Sequence, residues 1–208
     1  MPGRLLTLFA ATAVTAIAVG VGVVVSDPAH DRGPAAPAPP PPGAELADVD
    51  TTTLTIPRTD FCAEVAPIAV ERALGAEPSA ADAYGNGDSA ALTPRVTDIA
   101  HEYHCRWTAG KATARAWVFT PPVTPKQAAR LARQAGAAAE CREIPGAPAF
   151  GAPSTALACD SPSGREVSFR GLFGDAWLVC SLAGEGPVDD LTDRAGRWCA
   201  AVAQGASA

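Results

Sequence analysis

Six cysteines constrain what this chain can fold into more than any other feature: Cys62, Cys105, Cys141, Cys159, Cys180 and Cys199 all lie beyond residue 60. An even number confined to the part that follows an N-terminal apolar stretch is the pattern of a disulfide framework in an exported domain. Zinc ligation is the rival reading, but it uses close pairs such as Cys-x-x-Cys, and the shortest spacing here is 18 residues. Many pairings are open to six cysteines. The sequential one, Cys62–Cys105, Cys141–Cys159 and Cys180–Cys199, is favoured because each expected helix carries one cysteine and three expected strands carry the others.

The apolar stretch is residues 5–25, which hold no charged side chain. As a helix they would span about 30 Å, the thickness of a bilayer core. Arg4 precedes them and Asp27 and Asp31 follow, which places the N-terminus inside and the rest outside. The reading is a single-pass anchor over residues 1–25 with the C-terminal part extracytoplasmic. A cleaved signal peptide is the alternative, with a small-residue site at Val24-Val25-Ser26, and would make the chain secreted. Residues 26–53 read as a disordered linker, rich in Pro and Ala between Pro34 and Gly43. Such a run favours polyproline II and gives a stalk of roughly 28 Å at about 3.1 Å per residue.

Residues 54–208 are then one extracytoplasmic, disulfide-rich domain of ordinary size. Beyond the apolar stretch 15 basic side chains face 22 acidic ones, which argues against nucleic acid as a partner. Thr59 or Asp60 is placed to cap a helix to Leu74 that carries Cys62, with Gly75 as its stop and Pro67 as a possible break. Residues 76–97 are small, polar and turn-rich and read as a long loop. Residues 102–108 and 113–120 read as a hairpin about Ala109-Gly110. Thr124-Pro125-Lys126-Gln127 is a capping box with Pro at the first helical position, opening a helix to Cys141. Strands follow at 155–160, 165–172 and 176–182. Asp189 or Asp190 caps a last helix with Leu191, Ala195, Trp198 and Val202 on one face. The class is α+β, in the order α-β-β-α-β-β-β-α: an antiparallel sheet of about five strands with three helices on one face, stapled by disulfides.

Cys62 in an opening helix, Gly75 after Leu74, and Cys105-Arg106-Trp107 in a strand together resemble a family of actinobacterial exported domains, often lipoproteins, of unknown function. The resemblance covers roughly residues 61–107. It implies an envelope location and no particular activity. The chain differs from that family in lacking a lipidation cysteine and in carrying four further cysteines. One span, a proline-rich stalk and a disulfide-bonded domain are also similar in organisation to the extracytoplasmic sensor domains of actinobacterial membrane kinases.

No catalytic set, metal site or cofactor site emerges. His101 and His104 are three apart, which on a strand points them to opposite sides, and they read as exposed strand-edge residues. Gly87-Asp88-Ser89 resembles an esterase nucleophile block but no hydrophobic strand leads into it. Asp189, Asp190 and Asp193 suit the dipole of a helix start. Trp107, Trp117 and Trp177 fall on strands; they are core residues or, as candidate binding aromatics, a patch for a glycan or an envelope protein. The function expected is a membrane-anchored binding or interaction domain, with an exported hydrolase or a purely structural envelope protein as alternatives.

Overall fold

The computed structural model describes residues 43–93, 95–161 and 164–208. The apolar stretch at 5–25 and most of the linker lie outside the described residues. Among the described residues no helix is long and apolar enough to cross a membrane.

The fold is built on strands β1 (Ala80–Tyr84), β2 (Ser89–Thr93), β3 (Val96–Ile99), β4 (Glu102–Ala109), β5 (Ala112–Phe119), β6 (Cys141–Glu143), β7 (Ser154–Ser161), β8 (Gly164–Phe173) and β9 (Ala176–Gly184). The helices are α1 (Pro67–Leu74), α2 (Pro125–Gly136) and α3 (Val188–Ala206). Seven strands form one antiparallel sheet in the order β1-β4-β5-β9-β8-β7-β6, and β2 and β3 pair separately. The α+β class with an antiparallel sheet, three helices and three disulfides is therefore the architecture of the molecule.

Alternation along the central strands assigns each side chain to a face. On one face Ala114, Ala116 and Val118 of β5, Leu178, Cys180 and Leu182 of β9, and Val167, Phe169 and Phe173 of β8 form the main core under α1 and α3. The helical stripe Leu191, Ala195, Trp198 and Val202 is fully buried there. The small residues at 114 and 116 leave depth for the Trp198 indole, whose Nε1 donates to the Arg115 carbonyl at 3.3 Å. Gly171 has a similar role: a Cβ at this position would stand 1.4 Å from the Phe150 carbonyl oxygen, so only glycine lets that loop lie on β8. Phe150 then packs edge-on against Phe173 at 5.0 Å.

The other face carries a smaller core of Val123, Ala128, Leu172, Trp177 and Val179, and this one lies under α2. The three helices are thus divided, two on one face and one on the other, rather than all on one. The physical reason is legible in β9, where Trp177 to Leu182 has apolar residues at both parities, the mark of a strand buried on both sides.

Several local expectations are corrected. Helix α1 begins at Pro67, which lacks an N–H and suits the first position, while Cys62–Glu64 is only a 3₁₀ turn. Residues 76–97 are mostly β1, β2 and part of β3 rather than a loop. Residues 80–83 are exposed, so no burial pattern marked them. Helix α2 stops at Gly136, and Cys141 pairs directly opposite Cys159 in β6–β7; pairing overrides the helix propensity of the intervening alanines. The capping box at Thr124 and Gln127 is present with both of its hydrogen bonds. The packed chain also starts ahead of residue 54. Leu46 is only 2% exposed, and the Thr51 hydroxyl donates to the Ala149 carbonyl at 2.9 Å.

The disulfides join Cys62–Cys105, Cys141–Cys159 and Cys180–Cys199. Only the last ties a helix to the sheet. The first fixes the turn before α1 to β4, and the second links two neighbouring strands at the sheet edge.

Candidate functional site

On the α2 face of the sheet the cover is incomplete. Helix α2 packs over β6, β7 and β8 and the smaller core reaches β9, while β1, β4 and β5 are left to a shallow layer made by β2. The result is a groove of about 570 Å³.

Its floor follows from the strand register. Tyr84 stands opposite His104, and His104 opposite Trp117, so three rings form a row across β1, β4 and β5. Tyr84 and His104 are stacked with centroids 4.7 Å apart and planes 13° apart. His104 and Trp117 are 6.0 Å apart and tilted by 39°. A second row, two residues along, is Asp82, Arg106 and Arg115. Arg106 Nε donates to Asp82 Oδ1 at 2.8 Å, and Arg115 reaches Glu166 on β8 at 3.6 Å. The Tyr84 hydroxyl donates to Glu102 Oε1 at 2.6 Å. Ser89, Ala90 and Ala91 line the opposite wall.

The environment sets the proton states. Burial, with the guanidinium of Arg115 next in importance, lowers the His104 pKa to about 4, so the imidazole is neutral at neutral pH. Burial and the hydrogen bond to Glu102 push the Tyr84 hydroxyl well above its ordinary value, which keeps it a donor. The Nδ1 atom of His104 is buried and has no hydrogen-bond partner among the described residues. A neutral imidazole has one donor and one acceptor nitrogen, and here one of them is unsatisfied. The groove therefore offers stacked ring edges, two guanidiniums that are each ion-paired, and the Glu102 carboxylate, which accepts from the Tyr84 hydroxyl.

Of the candidate binding aromatics, only Trp117 reaches this groove. Trp107 lies on the opposite face and meets Trp198 edge-on at 5.5 Å. Trp177 is 2% exposed in the core beneath α2. The three indoles do not converge. His104 is not at a strand edge, because β1 pairs outside β4 and makes it an interior residue. Ser89 lines the groove with His104, whereas Asp189 and Asp190 lie inside the first turn of α3, whose cap position is held by Pro187 rather than by either of them. Among the described residues no group of three or more His, Cys, Asp or Glu is placed to hold a metal ion, and all six cysteines are in disulfides. Asp82, Tyr84, Glu102, Arg106 and Arg115 were not among the sequence candidates. The alternation Glu102, His104, Arg106 against Tyr103, Cys105, Trp107 was the available signal for β4; β1 offered none.

No family model matches the chain, and no curated protein or solved structure matches it either.

Proposed function

We propose that this chain is a non-enzymatic binding module of the cell envelope, anchored through residues 5–25, and that the groove over β1, β4 and β5 is its ligand site. The ring row Tyr84–His104–Trp117, flanked by paired charges, carries this reading. The edges of the stacked rings, with carboxylates and guanidiniums that keep spare lone pairs and N–H groups, suit hydroxyls. With Arg106 and Arg115 each already ion-paired, an anionic ligand has no favoured place. A polyhydroxylated ligand, such as a stretch of envelope glycan, fits these properties best. The proline-rich segment would hold the groove clear of the membrane.

Titration of the full-length chain with soluble glycan fragments, followed by NMR of the Trp117 indole N–H, tests this. Saturable shifts are expected, with about tenfold weaker binding in Trp117→Ala. Fragments that shift no groove resonance up to millimolar concentrations would remove the proposal.

A hydrolase is the second reading, because Ser89 and His104 line the same groove. The unpartnered Nδ1 of His104 means that the orienting carboxylate of a Ser-His-Asp arrangement is not in place. Turnover of an ester or glycan lost in both Ser89→Ala and His104→Gln would favour it over simple binding.

A further inference from the structure

The seven-stranded sheet has two outer strands, and they are built differently. One is β6, only three residues long, which carries Arg142 and Glu143 and is tied to β7 by the Cys141–Cys159 bridge. Shortness and charge are common protections for a strand with unpaired backbone groups. The other is β1, and it has neither proline, lysine nor a bulge. Its residues 80–83 are exposed, and no strand lies beyond it among the described residues.

The ladder on β4 tells which backbone groups of β1 are open. The Thr108 carbonyl accepts from the Ser79 N–H at 2.8 Å, and the His101 carbonyl accepts from the Thr120 N–H at 2.9 Å. Even-numbered residues of β4 therefore turn their backbone groups to β1, and odd-numbered ones turn theirs to β5. Through the register, Ala80, Asp82 and Tyr84 face β4, while the N–H and C=O groups of Ala81 and Ala83 point outward. Two side chains on the groove face then select what can pair there. Asp82 is 49% exposed; its Oδ1 accepts from Arg106, and its Oδ2 has no partner among the described residues. Tyr84 stacks on His104 through one ring face, so its other face is turned to the open edge. Across antiparallel strands, aromatic pairs and opposite charges stabilise, and like charges destabilise. A second copy of β1 is a poor match, because the register that pairs all of Ala80–Tyr84 sets Asp82 against Asp82.

We propose that β1 is a docking edge for an extended segment of another protein, which adds to the sheet as a further antiparallel strand. The segment carries an aromatic residue opposite Tyr84 and, two positions later, a lysine or arginine opposite Asp82. Backbone pairing with Ala81 and Ala83 supplies the affinity, and the two side chains supply the selection. This site does not rest on the glycan reading, which is scored on the Trp117 indole, so each can fail without the other.

NMR titration of the isotope-labelled full-length chain in detergent tests it, with a short capped threonine-rich peptide carrying tyrosine and, two positions later, arginine as the probe. Saturable shifts of the Ala81 and Ala83 amides are expected, with slower exchange of their protons. Glutamate in place of the peptide's arginine is expected to weaken binding about tenfold, and Asp82→Asn to remove most of that discrimination. Ala83→Pro deletes an outward N–H and leaves the ladder to β4 intact, so it is expected to abolish binding. N-methylation of the peptide amides that face β1 should do the same, and it leaves the protein unaltered should Ala83→Pro disturb the fold. No saturable shift at Ala81 and Ala83, binding that survives N-methylation, or equal affinity for the arginine and glutamate peptides would overturn the proposal. Protection of Ala81 and Ala83 that grows with protein concentration in the absence of peptide would also overturn it, because the occupant would then be a second copy of the chain.

Discussion

The two halves of the α2 face differ in one respect, their cover. Under α2 the sheet presents Leu172, Trp177 and Val179, and all three are buried. A few strands away, beyond α2, where Ser89, Ala90 and Ala91 of β2 line the groove, the same face presents Asp82, Tyr84, Glu102, His104, Arg106 and Arg115. Trp117 is the boundary: it packs against the smaller core and also lines the groove. The strands are equally regular on both sides, so backbone geometry does not separate structure from site. The missing third layer does, because an uncovered sheet face must be solvated, and solvated rings and charges are what a ligand meets.

The comparison breaks most visibly if the covered half is not structural. Trp177→Ala removes a buried indole and is expected to cost about 3–5 kcal/mol, read as a lower denaturant midpoint at unchanged slope. The disulfides sharpen the same contrast between interior and edge. Cys180–Cys199 and Cys141–Cys159 are separated by 19 and 18 residues, so removing either should cost a similar amount, about 3 kcal/mol by the loop-entropy argument. Access differs: Cys180 and Cys199 are fully buried, whereas Cys141 and Cys159 are partly exposed. Limited reduction followed by mass mapping should show the edge bridge opening first.

In the open half Trp117→Ala should cost about 1–2 kcal/mol, because the ring is only half-buried. A loss as large as that of Trp177→Ala would erase the distinction between the halves. His104 gives a smaller, pH-dependent effect. Its folded pKa of about 4 lies below the ordinary histidine value of 6.5, so the unfolded chain takes up a proton that the folded chain refuses. Wild-type stability should therefore fall as pH drops from 6.5 toward 4, relative to His104→Phe, and the difference should level off below that window. Denaturant midpoints of the two proteins across this range measure it. The smallest effect belongs to Asp160, at the opposite edge of the sheet. Its hydrogen bonds from Arg165 and Arg142 hold its carboxyl below the ordinary value, but all three side chains are solvated, and Asp160→Asn should leave the thermal midpoint unchanged within error.

Local chemistry was legible wherever a feature acts on its own neighbours. The capping box at Thr124 and Gln127 needs only residues three apart, and the stripe on α3 needs only a 3.6 period. The hairpins β4–β5 and β8–β9 follow from Gly110 and from Gly174 between runs of strand-forming residues. Cysteine parity and spacing led to the disulfide pairs, although two of the three bridges join elements other than those expected.

The candidate site was legible in fragments only. His104 and Ser89 stood out as residue types, and Trp117 as an aromatic, but they are 28 residues or fewer apart on three different strands, with nothing local to join them. Strand β1 is short, exposed from Ala80 to Ala83 and made of small residues up to Tyr84, so its own sequence carries little strand signal; it forms because β4 offers it a free edge. That pairing turns His104 from an edge residue into an interior one and stacks it on Tyr84, and its Nδ1 has no partner among the described residues. Amino-acid sequence alone determined which segments are amphipathic, where the helices α2 and α3 begin or face, and that cysteines would hold the domain together. Tertiary structure alone decided which half of a sheet face α2 covers, since that depends on the packing of distant layers, and no period within one strand records what lies above it.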